Sequence, residues 1–122
     1  MKNRSKNRQK YIGREQMDNI LDELQSVLVQ RKTVDVDKSY VAGLYAKGLD
    51  KILQKIGEEA TELVIAGKNK DKNAIIHEMA DLWFHNMILL ANNDIDYQAV
   101  IDELARRFGT SGIVEKNQRG QQ

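Results

Sequence analysis

Apolar positions recur three and four apart in four separate stretches of the chain, which is the period of an amphipathic helix and not the alternation of a strand. The first stretch runs from about Met17 to Arg31, where Ile20, Leu21, Leu24, Val27 and Leu28 form one stripe. The second runs from about Leu49 to Ala66. It sets Leu49, Ile52, Leu53, Ile56, Ala60, Leu63 and Val64 on one face, with Gly67 and Asn69 as stop signals. The third can be capped by Asp71 or Asn73 and continues to about Ala91. The fourth follows Asp96 as its cap, carries Val100, Ile101, Leu104 and Phe108 as an expected buried stripe, and ends at Gly109. Between the first two, Lys32 to Lys38 reads as a connection. Ser39 can cap a short helical piece, SYVAGLYAKG, that Gly43 and Gly48 loosen.

No alternating β-branched run stands between turn residues, and proline is absent. The pattern therefore predicts an all-α domain, a four-helix bundle-like arrangement with short joints. The third helix departs from the others. Ile75, Ile76, Met79, Ala80, Leu82, Trp83, Phe84, Met87, Ile88, Leu89, Leu90 and Ala91 cover most of its circumference, and such a helix is buried on most sides. A chain of 122 residues has little else to cover it, so homodimerisation is expected to complete the bundle. Residues 1–14 begin with a basic stretch that no apolar signal-peptide core follows, and they read as a disordered tail. The domain spans 15–110, and 111–122 read as a flexible C-terminal tail.

Composition narrows the function by exclusion. The formal net charge is +1, which gives no global electrostatic case for nucleic acid or an anionic membrane as partner. Cysteine is absent, which rules out disulfides and thiolate metal sites and suits a reducing, cytoplasmic setting. No apolar stretch approaches the roughly 20 residues of a membrane span.

The acids carry the chemistry. KIGEEATEL crowds Glu58, Glu59 and Glu62 on the second helix, where like charges three and four apart repel. EMADLWFH then sets Glu78 and Asp81, with His85, on nearly the only polar line of the third helix. If the two helices pair antiparallel, Glu59 and Glu62 can face Glu78 and Asp81. A cluster of three or four carboxylates beside a buried surface is relieved by a hard divalent cation, Mg²⁺ or alternatively Mn²⁺. Either motif alone is more simply a solvated acidic face; two on adjacent helices, one of them otherwise apolar, favour a metal site. His85 is more simply a core histidine with a hydrogen bond than a ligand, and His77 points elsewhere, to the surface. Lys47, Lys51 and Lys55 lead into the cluster and can hold polyphosphate oxygens, with Lys47 and Lys51 one turn apart if the helix continues through Gly48. Simple balancing of the glutamates is an equally good reading of each lysine singly.

The block SYVAGLYAKGLDKILQKIGEEATELVIAGKNKD, then EMADLWFHNMILLA and finally ELARRFGTSGIVEK, resembles the phosphoribosyl-ATP pyrophosphohydrolases, within the all-α nucleoside triphosphate pyrophosphatase (MazG-like) superfamily. The likeness covers about residues 17–116. It implies hydrolysis of phosphoribosyl-ATP to phosphoribosyl-AMP and pyrophosphate in histidine biosynthesis, with Mg²⁺, in a cytoplasmic homodimer or higher oligomer. By motif it implies Glu59, Glu62, Glu78 and Asp81 as catalytic metal ligands, with Glu58 on a second metal or orienting water. Ser39, Tyr40, Lys47, Lys55 and His85 form the implied substrate-binding set. A lysine often stands where this chain has Gly43, which weakens any phosphate contact from that turn. Two alternatives remain at this point: a housecleaning (deoxy)nucleoside triphosphate pyrophosphatase, and a non-catalytic helical metal-binding or oligomerisation module.

Overall fold

Three helices of this chain start where a short polar side chain takes up an orphan backbone N–H. In the computed structural model, which describes residues 13–108, α1 spans Gly13–Gln30, α2 Tyr40–Lys47, α3 Leu49–Lys68, α4 Lys72–Asn92 and α5 Gln98–Phe108. Two single 3₁₀ turns, Arg31–Thr33 and Val36–Lys38, fill the connection between α1 and α2. Among the described residues there is no strand, so the protein is all-α as the periodicity predicts. Ser39 Oγ accepts from the Ala42 N–H at 3.2 Å and starts α2. Asp71, not Asn73, caps α4 by accepting from the Ala74 N–H at 3.1 Å. Asp96 Oδ1 accepts from the Gln98 N–H at 2.8 Å at the start of α5.

Two boundaries differ from expectation. α1 begins at Gly13, so residues 13 and 14 of the expected tail are helical; residues 1–12 and 109–122, which hold the rest of both tails, lie outside the described residues. Gly48, at φ +96°, interrupts the helix between α2 and α3. Lys47 and Lys51 are therefore not successive turns of one helix.

The joint at residues 69–71, with Lys70 at φ +57°, folds α4 back along α3, and these two helices make the most extensive contact in the molecule. The core is Leu28 of α1, Val41 and Leu44 of α2, Ile52 of α3, Met87, Ile88 and Ala91 of α4, and Tyr97. Leu28, Ile52 and Ile88 are wholly buried, and each such side chain stabilises by roughly 1.5–3 kcal/mol. Polar contacts lock the other elements onto this centre. Tyr45 Oη donates to the Leu28 carbonyl at 2.8 Å. Tyr97 donates its hydroxyl to Asp22 and its N–H to Gln25 Oε1, fixing the start of α5 against α1.

The apolar stripes are only partly used. On α3 the buried direction is set by Ile52, Glu59 and Ala66, while Leu49, Leu53 and Val64 of the predicted face are exposed. The helix is turned so that the Glu59 flank, and not the centre of the stripe, meets α4. The expected burial of Val100, Ile101, Leu104 and Phe108 does not occur: all four are exposed, Phe108 by 90%. α5 is held through Tyr97 at its start, and among the described residues its apolar stripe stays largely exposed. On α4, Ile76, Met79 and Trp83 are likewise exposed.

Candidate active site

The α3–α4 hairpin brings the two acidic motifs together. One carboxylate oxygen each from Glu59, Glu62 and Glu78 lie within 4.8 Å of one another. A second group, His77, Glu78 and Asp81, is equally close-set, so Glu78 belongs to both. Glu59 is buried, Glu78 and Asp81 are half-buried, and Glu62 and His77 are exposed. The cluster therefore opens to solvent at the Glu62 and His77 side and closes at Glu59.

Glu59 Oε2 and Glu78 Oε2 are, among the described residues, the buried side-chain oxygens without a hydrogen-bond partner. An ionised carboxylate oxygen can only accept, and a buried acceptor left unpaired costs about 1–3 kcal/mol. Two such atoms in an all-oxygen group fit a hard divalent cation better than any contact that the described residues offer them.

Glu58 stands apart from this group. Its carboxylate accepts from Gln54 Nε2 at 2.9 Å and from Lys55 Nζ at 3.2 Å, and these two bonds hold it below the usual carboxylate range. Lys55 in turn is 3.6 Å from Glu59 Oε1. Its ammonium is pushed up chiefly by the hydrogen bond to Glu58, so it stays charged and offsets the acidic cluster from the N-terminal side of α3.

His77 is the residue that sequence reasoning set aside. Its side chain is on the surface, as expected, yet its Nε2 is 3.3 Å from Asp81 Oδ2. The spacing of four between the two was the available signal. His85 is a core histidine, 5% exposed, with Nδ1 2.8 Å from the Asp81 carbonyl oxygen and Nε2 2.8 Å from Tyr40 Oη. Its ring also meets Phe84 and Tyr40 edge-on. With both nitrogens engaged, it is not one of the clustered groups.

Three of the substrate-binding candidates share an open cavity of ≈ 430 Å³, lined by Val36–Tyr40 together with Gly43, Leu44 and Lys47. Ser39, Tyr40 and Lys47 are there; Lys55, Glu59, Glu62, Glu78 and Asp81 are not. The cavity and the acidic group are joined through Tyr40. Burial raises the pKa of its phenol, Lys55 opposes this, and Glu59, Glu58 and Asp81 add to it. Ser39 uses a lone pair for its cap and keeps its O–H for a further acceptor.

Both motifs and the cavity lie inside the stretch, residues 21–108, that matches the family model described as phosphoribosyl-ATP pyrophosphohydrolase. The chain is 57% identical over 100 residues to the phosphoribosyl-ATP pyrophosphatase of Methylococcus capsulatus, a match that covers 82% of this chain and 95% of that protein. Against the enzyme of the same name from Trichlorobacter lovleyi it is 58% identical over 100 residues, covering 82% and 93%. Against that of Neisseria gonorrhoeae it is 50% identical over 102 residues, covering 84% and 95%. A match of this identity across nearly the whole of each relative, taking in both halves of the acidic cluster, means that the chain belongs to the phosphoribosyl-ATP pyrophosphohydrolase family.

Proposed function

We propose that this chain hydrolyses phosphoribosyl-ATP to phosphoribosyl-AMP and pyrophosphate, the step of histidine biosynthesis for which its relatives are named, in the cytoplasm and as a Mg²⁺-dependent homodimer. The observation that carries the reading beyond family membership is the meeting of Glu59, Glu62 and Glu78 with two buried, unpartnered carboxylate oxygens. Glu59, Glu62 and Glu78 would hold Mg²⁺, with Asp81 joining through its proximity to Glu78. When bound, the ion supplies Lewis-acid polarisation of phosphoryl oxygens and offsets their charge.

The chain's own groups do the rest. The exposed edge of the cluster, at Glu62, leaves room for the triphosphate and for water. A carboxylate not taken up in ligation accepts a proton from that water. The oxygen of that water bonds to one phosphorus of the α–β anhydride as the bridging P–O bond to that phosphorus breaks, and the electron pair stays on the bridging oxygen, which remains with the phosphate that is not attacked. Lys47, at the cavity, and Lys55, already paired with Glu58 and Glu59, supply positive charge on either side. Glu58 holds Lys55 in place. Ser39 donates to an acceptor of the nucleotide, and His85 serves substrate binding from behind Tyr40.

A second copy of the chain accounts for what the single chain leaves open. Val64, Ile76, Trp83, Leu104 and Phe108 are each at least half exposed. Apolar exposure on this scale marks an interface, and a two-fold pair would turn these helices into a bundle.

The deciding measurement is pyrophosphate release from phosphoribosyl-ATP, set beside a panel of ordinary nucleoside triphosphates, with and without Mg²⁺. Release from phosphoribosyl-ATP in preference to the panel, lost on chelation, is the expected outcome. Equal turnover of the panel would instead favour a housecleaning role.

A further inference from the structure

The two hydrogen bonds of the buried histidine on α4 fix the position of a proton. His85 Nδ1 faces the Asp81 carbonyl oxygen at 2.8 Å. A carbonyl only accepts, so Nδ1 carries the hydrogen. In the neutral imidazole Nε2 is then the lone-pair nitrogen, and Tyr40 Oη, 2.8 Å away, donates into it. Both hydrogen-bond partners, the Asp81 carbonyl and the Tyr40 phenol, lie against a ring that is 5% exposed. The phenolic proton therefore points inward. What Tyr40, itself 55% exposed, offers outward is the remaining lone pair of its oxygen.

A tyrosine beside a triphosphate site would ordinarily be read as a donor to phosphate. Here that contact would set two acceptors against each other. The Lys55 ammonium, the cation acting on Tyr40, is engaged by Glu58 and Glu59. Along a nucleotide, the hydrogen-bond donors nearest the phosphates are the ribose hydroxyls. Tyr40 borders both the α2 cavity and the charges of the acidic cluster, which is where the sugar of a nucleotide would lie if its phosphates meet the carboxylates.

We propose that His85 is a positioning residue that makes Tyr40 a hydrogen-bond acceptor for a ribose hydroxyl of the nucleotide substrate. The proposal rests on the reading of the chain as a nucleotide pyrophosphohydrolase. Burial and the neighbouring carboxylates, which hold the phenol's pKa up, keep the inward proton in place.

The first test needs no turnover. Long-range ¹H–¹⁵N correlation of the intact protein, whose histidines are two in number, should show one ring, assigned to His85, protonated at Nδ1 and bare at Nε2. The opposite tautomer overturns the proposal. The second test compares pyrophosphate release from phosphoribosyl-ATP with release from forms lacking the 2′- or the 3′-hydroxyl of the ATP ribose. The intact enzyme should lose about tenfold in kcat/KM on one of them, the value of a single well-placed hydrogen bond. Tyr40→Phe should lose a similar factor on the natural substrate, mainly in KM, and no longer distinguish it from that deoxy form. His85→Gln should weaken binding when Tyr40 is present and add nothing when Tyr40→Phe is already made. Tyr40 is half-exposed, so its variant keeps the fold even if the His85 variant does not. Unchanged ribose discrimination in Tyr40→Phe, or none in the intact enzyme, overturns the proposal. If the intact enzyme releases pyrophosphate only from ordinary nucleoside triphosphates, the substrate reading fails on its own. The comparison of ATP with its 2′- and 3′-deoxy forms then decides the role of Tyr40.

Discussion

Glu59 and Glu78 each keep a buried oxygen that nothing among the described residues satisfies, and this is where the site should respond to single substitutions. Glu62→Gln and Asp81→Asn, both at solvent-reachable positions, should abolish pyrophosphate release while circular dichroism and the melting curve stay as in the parent protein. Normal turnover in either would remove it from the site. Addition of Mg²⁺ should raise Tm, because an ion that binds only the folded state stabilises it by mass action. Glu59→Gln should cancel that rise and leave the metal-free protein at least as stable, since a buried carboxylate without full compensation is a net cost; differential scanning calorimetry with and without Mg²⁺ reads both effects. On α5, hydrogen bonds from Arg106 and Arg107 pull the Glu103 carboxyl from 4.5 to about 2. A depressed folded-state pKa means stability that is present above 4.5 and is lost as pH falls from there toward 2. The difference in Tm between the parent and Glu103→Gln should therefore be present at pH 6 and gone near pH 2. It should also shrink in high salt, because these groups are exposed.

Elements rest on local chemistry that the chain spells out. The caps at Ser39 and Asp96 were legible because a hydroxyl or carboxylate before a periodic run has one obvious use, whereas Asp71 was one of two candidates with Asn73. Gly48 was legible as a loosening of the helix, but not as a break, because a glycine inside a helical pattern does not reveal its φ. At φ +96° with open space around it, the constraint on Gly48 is conformational and not steric crowding. Gly48→Ala should destabilise by roughly 1–2 kcal/mol through the left-handed backbone alone. Urea denaturation followed by circular dichroism measures it, and an unchanged midpoint would mean that the α2–α3 corner relaxes freely. The stripe of α5 is apolar as its periodicity predicts, and exposed where burial is expected. Periodicity says which residues share a face, and says nothing about whether a neighbour from the same chain arrives to cover it.

At the scale of the molecule, the described residues leave apolar helix faces exposed at Val64, Ile76, Trp83, Leu104 and Phe108. Trp83 and Ile76 lie on the side of α4 turned away from Glu78, Asp81 and His85, so a charge placed there tests association without touching the carboxylates. Trp83→Glu combined with Ile76→Glu should convert a dimer into a monomer by light scattering after gel filtration. A parent protein that is already monomeric at micromolar concentration would end the dimer proposal.

Sequence alone determined the helical class, the caps at Ser39 and Asp96, the two acidic motifs and the family, because each depends on side-chain chemistry at short spacing along the chain. Only the tertiary structure decided that α3 turns its Glu59 flank into the hairpin, that Glu78 is shared by two close-set groups, and that His77 reaches Asp81. It also decided that Tyr40 Oη, forty-five residues before His85, lies 2.8 Å from Nε2 of that ring. These are facts of rotation and contact between elements. A period of 3.6 residues fixes the angle between side chains on one helix and leaves free the angle at which that helix meets the next.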